Sequence, residues 1–289
     1  MATSRTLRTV VILVSFVAIA FQVQAQTQQD RTQDRVAFPA HTIVGNLHYV
    51  GTGTLNSYLI TTTQGHILIN TNYEDTVPLL RASVEKVGFK MTDVKIILGS
   101  HAHPDHVQAD ALVKELTGGA MVMAMEQDVP ALESMKAPSG KPHPIDRVLK
   151  DKEQVSLGGT TLVAHLTPGH TRGCTTWTMR IPEGGRTYDV VIACGGLQQG
   201  VVLVNNTNYP EIADDFARSI ATLKALPVDV FLGAHSWFFD LAGKYKRLGG
   251  AVNPYVDPAG YKAWVGTMEK NYNALITRPP GERPASGVR

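Results

Sequence analysis

Gly99-Ser-His-Ala-His-Pro-Asp-His106 sets three histidines and an aspartate within six residues. The apolar run 94–98 before it reads as a buried strand, and 108–116 after it as a helix. In extended backbone, residues 101, 103 and 105 point to one side, and a turn at Pro104 swings His106 to a neighbouring position. Two more histidines follow predicted strands: His170 in Thr167-Pro-Gly-His-Thr-Arg-Gly173, and His235 in Gly233-Ala-His-Ser236. Imidazole and carboxylate are borderline donors suited to zinc, and three protein ligands per ion leave a position open for water. A catalytic zinc site is the expectation.

The rest of the chain is consistent with one enzyme domain. Its 289 residues are 43% hydrophobic and 18% charged, which excludes a disordered protein. A net charge of +2 offers no basic field for nucleic acid, and two cysteines cannot build a four-cysteine zinc site. Residues 1–25 carry Arg5 and Arg8, an apolar run from Val10 to Ala20 and the small-residue end Val23-Gln-Ala25, the pattern of a secretory signal peptide. That run is too short for a stable membrane span. Its removal leaves 25 basic against 25 acidic side chains, so a neutral, exported, monomeric protein is expected.

Residues 26–35 read as a flexible lead-in, 36–277 as a single domain and 278–289 as a loose Pro/Gly-rich tail. Strands are predicted over 43–50, 57–61, 66–70, 94–98, 121–124, 154–157, 160–165, 175–181, 188–194 and 228–233. Helices are predicted over 76–87, 108–116, 210–226 and 258–276. Such alternation suggests two mixed sheets packed together with helices on the outer faces, an α/β (α+β) architecture.

The motif His101-x-His103-x-Asp105-His106 resembles the signature of the metallo-β-lactamase superfamily. The resemblance extends over about Val36 to Ile276 and implies a four-layer αββα sandwich with two Zn2+ at one edge. It assigns His101, His103 and His170 to the first zinc, and Asp105, His106 and His235 to the second. No aspartate stands at the end of Asp189-Val-Val-Ile-Ala-Cys194, where glyoxalase II and the lactonases carry a bridging one. The segments Leu166–Thr178, Asn208-Tyr-Pro210, Leu226–His235 and Val256–Tyr261 look instead like the third subclass of class B β-lactamases. By that resemblance a zinc-bound hydroxide, oriented by Asp105, opens the β-lactam ring of penicillins, cephalosporins or carbapenems in the periplasm, conferring antibiotic resistance. The alternatives are an exported metallohydrolase acting on a lactone or thioester, and a non-catalytic zinc protein.

The sequence departs from this subclass in places. Gly195 and Leu197 fall roughly where serines help hold the substrate carboxylate, so Gln198, Gln199 or Arg172 is the substitute considered. Cys174 and Cys194 lie nearly opposite on a hairpin about Gly184-Gly185 and read either as a disulfide or as two buried thiols. His106 already completes the second metal's set without Cys194. Tyr49, Trp237, Phe238 and Phe239 are candidates to line the cleft. His41, His48, His66, His143 and His165 have no motif context and read as surface or packed residues.

Overall fold

The computed structural model describes residues 31–277 except Gln199. The proposed signal peptide, residues 26–30 of the lead-in, the tail and Gln199 lie outside the described residues. Two sheets face each other. The first joins β1 (His41–Val44), β2 (Leu47–Tyr49), β3 (Tyr58–Thr62), β4 (Gly65–Ile69), β5 (Val94–Leu98), β6 (Met121–Met125) and β7 (Arg147–Leu149) in chain order. The second runs β12 (Val230–Gly233), β11 (Arg186–Ala193), β10 (Thr175–Glu183), β9 (Thr160–Leu166), β8 (Gln154–Leu157). Pairing is antiparallel through β4 and parallel from β4 to β7; in the second sheet only β11 and β12 are parallel.

Apolar residues follow one another without a gap over Ile67–Ile69 of β4 and Ile96–Leu98 of β5 because both faces are covered there, whereas Lys95 near the start of β5 is exposed. Ile67, Ile69, Ile96 and Leu98 join Leu162, Trp177 and Met179 in the core between the sheets. Leu68 and Ile97 face the other way, against Val77, Leu80 and Val84 of α1 (Val77–Lys86) and Val113 of α3 (Asp110–Leu116). On the far side, Ile220 and Leu223 of α5 (Ile212–Ala225) and Val265 and Met268 of α7 (Pro258–Ile276) complete the fourth layer. The two packed sheets with outer helices expected from the alternation are therefore present, in the αββα order that the family resemblance implies. Among the described residues no helix is long and apolar enough to cross a membrane.

Several elements differ from expectation for local reasons. The strand expected over 43–50 is a hairpin, because Gly45 takes a left-handed φ of 50° and turns the chain between β1 and β2. Residues 31–35 are not a free lead-in: Arg31–Gln33 form a 3-10 turn, and Asp34 is buried and accepts a hydrogen bond from Thr54 Oγ1 at 2.5 Å. The helix expected over 108–116 is present as α3, starting at Asp110, and an unexpected short helix α2 (Pro104–Val107) precedes it, so Asp105 sits in a helical turn and not in extended chain. Strand β7 and the short helices α4 (Val129–Ser134) and α6 (Leu241–Lys246) are too brief to show a period.

The unassigned histidines are packed. His48 lies between Thr42 Oγ1 (3.0 Å) and Thr61 Oγ1 (3.4 Å), and burial, with His66 and His41 nearby, pushes its pKa down to about 4. An unfolded histidine titrates near 6.5. The unfolded chain thus binds more protons between these values, and stability is lost as pH falls from 6.5 towards 4, by up to about 3 kcal/mol from this residue. Urea unfolding of metal-free protein across that range is expected to show a steeper loss for the wild type than for His48→Gln. Equal slopes would refute the assignment.

Candidate metal centre

The site forms where strand ends from both sheets converge. Strand β5 leads into Gly99, whose carbonyl accepts the Trp177 indole N–H at 3.0 Å. Ser100 is then fixed from both sides: its N–H donates to Asn70 Oδ1 at 2.8 Å, and its carbonyl accepts Thr175 N–H at 2.8 Å. Asn70, left-handed at φ 63°, ends β4 and also donates to the Asn56 carbonyl at 3.0 Å. The next two amides, of Thr71 and Asn72, donate to the His106 carbonyl at 2.9 and 3.0 Å. His235 enters after β12, where Leu55 bridges to it and Asn56 N–H donates to the Ala234 carbonyl.

These supports bring together the six side chains named by the motif and the two later loops. His101 Nε2 is 3.1 Å from His170 Nε2, and His103 completes a set whose donor atoms lie within 4.8 Å of one another. Beside it, His106 Nε2 is 3.2 Å from His235 Nε2, and Asp105 Oδ2 is 3.7 and 3.9 Å from those two nitrogens. Tetrahedral zinc with bonds of about 2.0–2.1 Å separates its ligands by roughly 3.3 Å. The close nitrogen pairs fit that span, and the carboxylate is within a small adjustment of it. The two sets share one wall, with the His101 and His106 rings 4.3 Å apart.

Protonation agrees with metal binding. Burial, then crowding by the other imidazoles, holds His101, His106 and His235 well below the usual histidine range. Burial takes His170 down to about 4, and it lowers His103 against the pull of Asp105 and Asp128. All five rings are thereby neutral near pH 7, the form that ligates. For His170 the tautomer follows as well: Gly196 O, 3.1 Å from Nδ1, can only accept, so Nδ1 carries the proton and Nε2 offers its lone pair.

Cys174 and Cys194 are joined by a disulfide, with Cα atoms 5.7 Å apart, so neither offers a thiolate to a metal. The bridge lies directly behind the site, with Cys194 Sγ 3.5 Å from His101 Nδ1. Gly195 follows it against His170: a Cβ there would stand 2.6 Å from that residue's Cγ. A serine at 195 has no room beside the ring in this position. Arg172 is exposed, paired with Glu211 at 3.1 Å and stacked 4.1 Å over the Tyr209 ring, and Gln198 is exposed. Of the four aromatic candidates Trp237 is the most exposed, stacked 4.0 Å from the His235 ring, while Phe238 is half-buried. Tyr49 and Phe239 are core residues, and Phe238 packs over Gly233.

Asp128 escaped the sequence reading. It is buried, and its carboxylate accepts from Ala102 N–H (2.8 Å), Gly173 N–H (2.7 Å) and Thr171 Oγ1 (2.9 Å). In sequence it looks like an ordinary cap before Val129-Pro130, and nothing local shows that its side chain turns away from α4.

Comparison with known proteins agrees with this geometry. Residues 50–235 match the family model of the metallo-beta-lactamase superfamily. The solved FEZ-1 metallo-beta-lactamase from Legionella gormanii is 44% identical, with a TM-score of 0.80 and coverage of 84% of this chain and 97% of that one. BJP-1, a subclass B3 metallo-beta-lactamase of Bradyrhizobium japonicum, is 33% identical with a TM-score of 0.79, covering 86% and 97%. A hydroxyacylglutathione hydrolase of Hyphomonas neptunium is 32% identical over 123 residues, 42% of this chain. That match spans only 43% of the relative's own length.

Proposed function

The chain belongs to the metallo-β-lactamase superfamily, and from that premise we propose that it is an exported, periplasmic, monomeric zinc hydrolase that opens the β-lactam ring of penicillins, cephalosporins or carbapenems. The observation that carries this is the pair of adjacent three-donor sets, since three protein ligands leave each ion a position for water or substrate. Likeness to two metallo-beta-lactamases over nearly their whole length, against less than half of a thioester hydrolase, supports the lactam as substrate.

His101, His103 and His170 would hold the first zinc, and Asp105, His106 and His235 the second. Zinc supplies Lewis acidity towards a carbonyl and lowers the pKa of water to near neutrality. The chain's own residues do the rest. The neutral imidazoles keep their lone pairs available without competition from protons. Asp105 holds a hydrogen of the attacking water through its carboxylate, and so aims a lone pair at the lactam carbonyl. Trp237 offers an apolar face beside His235 against which a substrate ring can rest. Arg172, Gln198 and Gln199 are the proposed contacts to the substrate carboxylate.

One observation favours a second reading, a lactone or thioester hydrolase: the crowding at Gly195 leaves no place for a serine anchor. Purified mature protein is expected to carry two zinc ions and to hydrolyse a penicillin, a cephalosporin or a carbapenem, with activity lost to a chelator and restored by zinc. Turnover of only a lactone or an S-acylglutathione would replace the β-lactam assignment. Bound zinc with no turnover of any of them would make this a binding protein.

A further inference from the structure

We propose that Asp128 is the positioning residue of the first metal, a carboxylate clamp that locks the loop carrying His101 and His103 to the loop carrying His170. The inference rests on the zinc reading above and assigns a role to a residue outside the motif. One loop is gripped at Ala102, the residue between two of the ligands, whose N–H donates to Oδ2 at 2.8 Å. The other is gripped twice just beyond the third ligand, by Thr171 Oγ1 to Oδ2 (2.9 Å) and Gly173 N–H to Oδ1 (2.7 Å). Each contact is within three residues of a ligand, so a shift of the carboxylate moves His101 and His103 relative to His170.

The surroundings suit this role. Asp128 occupies the N-cap position of α4, where an aspartate usually accepts from its own helix, yet it makes no cap hydrogen bond. Gly173 permits the close approach: a Cβ at that position would lie 2.6 Å from the Asp128 Cβ and Cγ. Three donors converge on a buried group, and only an ionised carboxylate can accept from all of them without offering a hydrogen in return. Asparagine has the same shape but would turn an N–H towards a backbone N–H. The second set is not gripped in this way, since His106 is held through Asn70, Thr71 and Asn72. Partners that orient ligands typically change metal affinity roughly ten- to a hundredfold when removed.

The test is a zinc titration of metal-free protein against a chromophoric chelator, with circular dichroism to confirm the fold of every variant. His103→Ala and His235→Ala identify which binding step belongs to which set. Asp128→Asn is expected to weaken the step that His103→Ala removes by roughly ten- to a hundredfold, and to leave the step that His235→Ala removes unchanged. Thr171→Val, which deletes one of three bonds, should weaken that same step by a smaller factor; it carries the test if Asp128→Asn fails to fold. Asp146→Asn, at a carboxylate bound to Lys114 and Val122 away from both loops, should change neither step. Wild-type affinity in both Asp128→Asn and Thr171→Val, equal weakening of both steps, or the same loss in Asp146→Asn would overturn the clamp. A wild type that binds no zinc would overturn the metal reading itself.

Discussion

His103→Ala is expected to lower kcat/KM for a β-lactam by about a thousandfold or more and to reduce bound zinc from two ions towards one. Among the described neighbouring side chains each candidate to replace His103 is already committed: His101 and His170 meet at 3.1 Å, and Asp105 and His106 belong to the proposed second set. Two ligands hold zinc poorly, and a loss of about 4 kcal/mol of transition-state stabilisation corresponds to that thousandfold factor. Steady-state kinetics beside metal analysis checks it. Activity at the wild-type level, still sensitive to chelator, would refute the ligand assignment. The fold should be little affected, because His103 is partly exposed and its ring is not part of the core between the sheets.

The second large effect concerns stability. Serine at both Cys174 and Cys194 is expected to lower the free energy of unfolding by about 3 kcal/mol, read from urea denaturation, since the bridge closes a loop of sequence separation 20. The loss should extend to the metal centre. Cys194 abuts His101, and the bridge fixes the ends of β10 and β11 from which the Thr171-to-Gly173 segment and Gly195 approach His170. The double variant is therefore expected to release zinc at a lower chelator concentration than the wild type. An unchanged denaturation midpoint would show that the paired strands hold the hairpin by themselves, through the register from Trp177↔Ile192 to Glu183↔Arg186.

The candidate metal site was legible because most of its residues are local. Donors at 101, 103, 105 and 106 come from one turn, and their chemistry survives an error in backbone geometry: Asp105 was expected in extended chain and sits in the first turn of α2, yet it reaches the same centre. The run 94–98 and the helix from Pro258 to Ile276 were legible because burial on both faces, or on one face of five turns, writes a long pattern. What was illegible depends on pairing between distant segments. Asp34 reads as part of a polar leader until Thr54 is placed beside it. Asp128 reads as a cap until two loops, 26 and 45 residues away, are brought against it. The same holds for Gly195, whose meaning depends on the ring of His170.

That contact at Gly195 has a consequence for how the sequence can change over generations. A single codon change to serine would introduce an atom 2.6 Å from the His170 Cγ, so the variant would disturb a proposed metal ligand before it could gain a hydrogen bond to any substrate. The step is closed to selection while the ring keeps its place. A lineage acquiring such an anchor has to move the His170 loop and residue 195 together, or recruit the contact from another element. Residues 170 and 195 therefore form a unit of inheritance, in which the fitness of a change at one is set by the state of the other.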